Sequence, residues 1–239
     1  MGRIFEKRKA RMFARWAKNA KAFTKLGKEI AIAVKLGGAD PDGNPRLRMA
    51  IQTAKSLNMP KATYENAIHR ASSKDQASLA EVNYEGYGPY GIAIFVETAT
   101  DNPTRTVANV RSIFNKYGGA FGTAGSLDYL FARKGVFTIE RPKGDPEELE
   151  LELIDFGLEE LFETDDGFLI YSSFEDFGTL QRALESRNIE VKSAMPQRIP
   201  LNKTQLSPEQ EAEVQKLIDA LEEDEDVQHV YHTMESSEG

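Results

Sequence analysis

Apolar positions in the first seventy residues recur at helical spacing. Phe23, Leu26, Ile30 and Val34 follow steps of three and four and so share one face of a helix. Gly37-Gly38 stops that helix, and Asp40-Pro41-Asp42-Gly43-Asn44-Pro45 is a loop dense in turn formers. Leu47, Ile51 and Ala54 stripe a second helix, Asn58-Met59-Pro60 breaks it, and Tyr64 with Ile68 anchors a third. The stretch from Met1 to about Lys74 therefore predicts a three-helix unit, closed by the polar linker Ser72-Ser73-Lys74-Asp75-Gln76.

Beyond the linker the period changes. Val82–Tyr84 and Ile92–Thr98 are β-rich runs flanking a glycine-rich turn. Asn102-Pro103 is a cap followed by proline at the first helical position, and Val107, Val110, Ile113 and Phe114 form the inward stripe of that helix, which ends at Gly118-Gly119. Tyr129–Phe131 and Val136–Ile139 read as a strand pair. Asp145-Pro146-Glu147-Glu148 predicts a capping box before a helix striped by Leu149, Leu153 and Ile154. Strands at Leu158–Glu163 and Phe168–Ser172 flank the turn Asp165-Asp166-Gly167, and a helix with Phe177, Leu180 and Leu184 leads to a strand at Val191–Met195. Ser207-Pro208-Glu209-Gln210 opens a last helix with Val214, Leu217, Ile218 and Leu221 inward, before a strand at Val227–Tyr231. Short helices alternating with paired strands favour an α+β architecture with ferredoxin-like sandwiches. A C-terminal helix and one strand cannot stand alone, so they must complete a sheet begun earlier.

Charge adds what the apolar pattern does not show. Residues 1–74 hold 17 Lys+Arg against 5 Asp+Glu, and residues 75–239 hold 13 against 33, so an overall charge of −8 divides into +12 and −20. Such asymmetry points to a polyanion partner for the basic part, because neutralising phosphates releases condensed counterions. Arg8, Arg11, Arg15 and Lys18 fall at steps of three and four and form a cationic stripe; Lys7, Lys9, Lys21, Lys25 and Lys28 extend it, and Trp16 is placed to stack on a base or anchor the helix. The competing reading is a solvated basic helix docked on its own core.

At 239 residues, 40% hydrophobic and 28% charged, the composition is that of a soluble globular chain. The absence of cysteine excludes disulfides, zinc thiolates and a cysteine nucleophile, and suits a reducing compartment. No apolar run is longer than the five residues of Ile92–Val96, too short to span a bilayer, so no membrane partner is expected and the cytoplasm is the expected location. The basic start shares its charge with mitochondrial transit peptides, but those are serine-rich and the first serine here is Ser56.

Gly86-x-Gly88-x-x-Gly91 matches the dinucleotide fingerprint in letters, but a strand follows where a helix N-terminus is required, so it reads as a hairpin turn. His229 and His232 lie three apart on a strand and point to opposite faces, against a shared metal. Asp224 and Asp226 read as solvated loop charges, within the run Glu222–Asp226 at a helix end where negative charge is mildly unfavourable and hints at a basic partner. No nucleophile elbow or P-loop occurs. No catalytic residue, metal or cofactor is expected.

Tyr84-Glu85-Gly86-Tyr87-Gly88-Pro89, Thr100-Asp101-Asn102-Pro103-Thr104-Arg105-Thr106-Val107, Asn115-Lys116-Tyr117-Gly118-Gly119 and Gly125-Ser126 closely resemble the YebC/PmpR family. Phe23-Thr24-Lys25-Leu26, Asn58-Met59-Pro60 and Asp226–His232 match as well, so the likeness covers essentially the whole chain. The opening Gly2–Lys9 departs from the family's Ser-Lys-Trp-Ala-Asn-like start while keeping its charge. The resemblance implies an N-terminal three-helix domain followed by two ferredoxin-like α/β domains, the third inserted in the second, with boundaries at 1–75, 76–140 plus 203–239, and 141–202. It also implies a cofactor-free regulator: family members are described as transcriptional regulators, and mitochondrial relatives as translational activators. The expected partner is accordingly DNA, with ribosomal or messenger RNA and the ribosome as the alternative.

Overall fold

The structure, a computed structural model, describes residues 2–73, 78–142, 144–164 and 167–235, with side chains from residue 20 onward. The chain opens with α1 (Gly2–Gly37), α2 (Pro45–Ser56) and α3 (Lys61–Ser72). Leu26, Ile30 and Val34 of α1 pack on Leu47, Ala50 and Ala54 of α2 and on Tyr64 of α3. Asn44 locks this corner: its side-chain oxygen caps α2 by accepting from Leu47 N (3.1 Å), while its amide donates to Ala33 O (2.7 Å) and Gly38 O (2.8 Å) at the end of α1. The α2–α3 turn passes through Asn58 in the left-handed region (φ 55°). The expected linker falls mostly at 74–77, outside the described residues.

Next come β1 (Ala80–Tyr87), β2 (Ala93–Thr100), α4 (Pro103–Lys116) and the two-residue β3 (Ala120–Phe121). The chain then runs through β4 (Phe131–Ile139), α5 (Pro146–Ile154), β5 (Leu158–Thr164), β6 (Gly167–Ser173), α6 (Phe177–Ser186) and β7 (Val191–Pro200) before returning with α7 (Pro208–Glu223) and β8 (Val227–His232). Two four-stranded antiparallel sheets result, ordered β3-β1-β2-β8 and β5-β6-β4-β7. The second sheet follows the βαββαβ path of a ferredoxin-like sandwich, whereas the first reaches the same strand-and-two-helix layer by ββαβ, an interruption, and αβ. The expected need for α7 and β8 to complete an earlier sheet is met by β8 pairing with β2.

Two expectations change. The strand pair at 129–131 and 136–139 is one strand, β4, preceded by a 3-10 turn at Asp128–Leu130. Gly135 splits the apolar pattern there, and it is glycine because a Cβ would meet Ser172 Oγ at 2.4 Å and Phe177 Cδ2 at 2.6 Å, where Phe177 stacks on Phe137. Since β4 is central to the second sheet, the crossover between sheets precedes Phe131 rather than falling at residue 140. The turn residues 165 and 166 lie outside the described residues. The glycine fingerprint is a hairpin: β1 and β2 pair on either side of a 3-10 turn at Pro89–Gly91, and a Cβ on Gly86 would meet Ala120 O and Phe114 at 2.7 Å.

The three parts pack together. Arg198 of β7 reaches the first sheet, bonding Glu97 (3.0 Å) and Asp128 (2.6 Å) with its guanidinium 3.8 Å from the Phe95 ring centre. Met49 of α2 enters the core of the second sheet, and Gln52 of α2 donates to Val191 O of β7.

Candidate nucleic-acid interface

A stretch without proline or an internal glycine before Gly27 lets α1 run unbroken for 36 residues, about 54 Å at 1.5 Å per residue. Of the cations expected to contact phosphate, the side chains of Lys7, Arg8, Lys9, Arg11, Arg15 and Lys18, with Trp16, lie outside the described residues. Lys21, Lys25 and Lys28 are described, and each faces the acidic end of α7. Lys21 Nζ stands 3.6 Å from Glu223 in an exposed pair. Burial pulls the Lys25 pKa below its ordinary value, with Glu222 and Asp224 acting in the opposite sense.

Lys28 corrects the expectation made for it. Its ammonium donates to Ala99 O (3.0 Å), Glu225 O (2.8 Å) and Asp226 Oδ1 (2.7 Å), which uses all three of its donors inside the chain. It pins the base of α1 to the first sheet and has no donor left for a phosphate. Asp226 is corrected with it. Rather than a solvated loop charge, it is a buried hub that also accepts from Arg105 Nη2 (2.8 Å), Thr106 Oγ1 (2.8 Å) and Thr100 Oγ1 (3.1 Å). Burial alone would raise its carboxyl pKa, but the bonds from Arg105, Lys28 and Thr106 prevail and hold it well below the usual carboxylate range. The basic partner hinted at by the acidic run is thus within the chain. The signal available in the sequence was that run itself, whose charge at a helix C-terminus calls for a nearby cation.

Between α1, the start of α4 and the α7–β8 turn lies a cavity of about 780 Å³, where Lys28 and Arg105 meet Asp101, Asp224, Glu225 and Asp226. Its acid excess disfavours a polyanion.

Much of the block that carries the family resemblance is scaffold. Thr100, Arg105 and Thr106 all serve Asp226, and Asn102 caps α4 by accepting from Arg105 N (3.1 Å). The buried Glu85 carboxylate accepts from Gly125 N (2.7 Å) and Leu127 N, which folds the Gly125-Ser126 loop onto β1. His229 pairs in register with Glu97 and His232 with Ile94, on opposite faces of β8. His229 is exposed, whereas His232 is half-buried and burial lowers its pKa. Among the described residues no cluster of three metal-ligating side chains occurs, and no helix is long and apolar enough to cross a membrane.

Comparisons with known proteins agree along the whole length. Residues 3–74 match the family model of the TACO1/YebC protein N-terminal domain, and residues 79–234 that of the TACO1/YebC second and third domain. A "Probable transcriptional regulatory protein" of Porphyromonas gingivalis is 55% identical over 240 residues, covering 100% of this chain and 99% of the relative. One of the same description from Flavobacterium psychrophilum is 54% identical over 235 residues, covering 98% and 100%. The crystal structure of a conserved hypothetical protein from Aquifex aeolicus superposes with a TM-score of 0.80 at 38% identity, covering 92% of this chain and 91% of that one.

Proposed function

The chain belongs to the TACO1/YebC family, and on that premise we propose that it regulates gene expression by gripping a nucleic acid with the first half of α1, acting by binding rather than catalysis. One observation carries this reading. Residues 2–19 hold seven Lys+Arg and a single Glu on a continuous helix, whereas Lys28, nearer the body, is consumed by internal acceptors. Phosphate contact then falls on Lys7, Arg8, Lys9, Arg11, Arg15 and Lys18, with Trp16 stacking and Lys21 and Lys25 contributing long-range attraction.

Duplex DNA is the partner this arrangement favours. The major groove of B-DNA admits an α-helix, while the narrow major groove of A-form RNA does not. The description of the relatives as probable transcriptional regulatory proteins supports the same reading. A second reading, attachment to ribosomal RNA in the ribosome, draws on the arm's poverty in base-reading amides: residues 2–19 contain one, Asn19, and no Gln. Contact would then be to phosphate and shape.

Titration of a labelled duplex over a salt series tests the proposal. Engagement of about five phosphates gives a log–log slope near −4.5, and Arg8→Ala, Arg11→Ala, Arg15→Ala and Lys18→Ala combined, which leave Lys7 and Lys9, should flatten it to about −2 or less in magnitude. An unchanged slope rejects the arm as the contact surface. At least about a thousandfold preference for a specific site over random duplex supports the DNA reading; co-sedimentation with ribosomes and little preference among duplexes supports the second.

A further inference from the structure

The acidic body has one helix of opposite character. α4 contains Arg105, Arg111 and Lys116 and no Asp or Glu, while α5, α6 and α7 each carry acid. Arg105 is engaged by Asp226 and Asp101. Arg111 is exposed, and among the described residues its guanidinium has no hydrogen-bond or ionic partner; it rests over the Phe121 ring, 5.0 Å from its centre. Beside it opens a shallow groove of about 660 Å³, with Asn115, Gly119, Phe121, Gly122 and Thr123 in its lining and no acidic residue. Lys116, one position beyond Asn115, is likewise exposed, over Tyr117 at 5.2 Å.

From this juxtaposition we infer that Arg111, Asn115 and the Phe121 ledge form a second nucleic-acid contact, taking a phosphodiester on the guanidinium with a sugar or base against Asn115 and Thr123. Two features support it. A guanidinium seated on an aromatic ring keeps its donor fork available and oriented for a phosphate, which it holds bidentately. The lining of the groove carries no acidic side chain to repel that phosphate, in contrast to the acid-rich cavity at the other end of the helix, where Arg105 in the first turn of α4 meets Asp226; Arg111 lies about 9 Å further along the helix axis.

The inference rests on the nucleic-acid reading above, and its test separates the two. Full-length protein is titrated with a fluorescein-labelled 20-nucleotide single strand and with a 20-base-pair duplex, as wild type, Arg111→Ala, Asn115→Asp and the fourfold arm variant, with circular dichroism confirming the fold. Arg111→Ala should weaken binding of at least one probe about tenfold and reduce its salt slope by about one. Asn115→Asp removes no packing group, so its loss of affinity marks repulsion of a phosphate in the groove. If the arm variant loses affinity while both groove variants bind as wild type does, the second contact is overturned and the arm reading stands. If the wild type binds neither probe, both fall.

Discussion

Asp226 illustrates how much depends on a single carboxylate. It receives four side-chain donors from three elements and holds the base of α1, the start of α4 and the α7–β8 turn together. Asp226→Ala leaves Lys28 with two carbonyls and no counter-charge, and is expected to cost about 3 kcal/mol in chemical denaturation. Because its pKa is depressed in the fold, the unfolded chain takes up the proton first on acidification. Its contribution is therefore complete above the ordinary carboxylate range and is lost as pH falls below it; Asp226→Asn should flatten thermal stability in that acid limb. The half-buried His232 acts at higher pH. With its pKa lowered by burial, the unfolded state binds the proton first below about pH 6.5, so stability falls as pH drops through and below that value. The backbone bond at Met234 and the charge of Glu222 oppose the shift without overcoming it. Removing the imidazole with His232→Gln should abolish that step in the pH–Tm profile.

At the scale of elements, the ends of helices were legible and their partners were not. Ser207 and Gln210 form the capping box expected from their spacing. At α5 the Asp145 carboxylate instead accepts from Glu147 N, two residues on. Asn44 looked like a turn residue, yet it joins the end of α1 to the start of α2 through three hydrogen bonds. Asn44→Ala should cost about 2 kcal/mol in denaturant unfolding, from a lost cap and two orphaned carbonyls. Asn44→Asp keeps the cap acceptor but removes both donors, so it should not restore the stability lost in Asn44→Ala.

For the whole molecule, the distribution of charge matters more than its sum. Acids at the end of α7 face the cations at the base of α1. Neutralising the exposed ones with Glu222→Gln and Glu223→Gln should strengthen low-salt binding of a labelled duplex about threefold, with the gain vanishing at high salt, because exposed charges are screened beyond a Debye length. The two sheets are joined by Arg198 between Glu97 and Asp128 over Phe95. Arg198→Ala strands a half-buried carboxylate at Glu97 and removes the ring contact, and should speed hydrogen exchange in the 127–131 segment and in β8 before global unfolding.

The sequence by itself determined the order of helices and strands, the basic head on an acidic body, and the need for the last helix and strand to return to an earlier sheet. Those follow from periodicity, capping chemistry and counted charge, all of which are local or additive. Only the tertiary structure decided that β4 belongs to the second sheet, that Lys28 is spent on Asp226, and that Arg111 beside Phe121 lacks an acidic partner among the described residues. Each of these depends on which distant groups meet. A cation's availability is set by acceptors brought to it from elsewhere in the chain, about two hundred residues away in the case of Lys28, and no spacing along the chain encodes that distance in space.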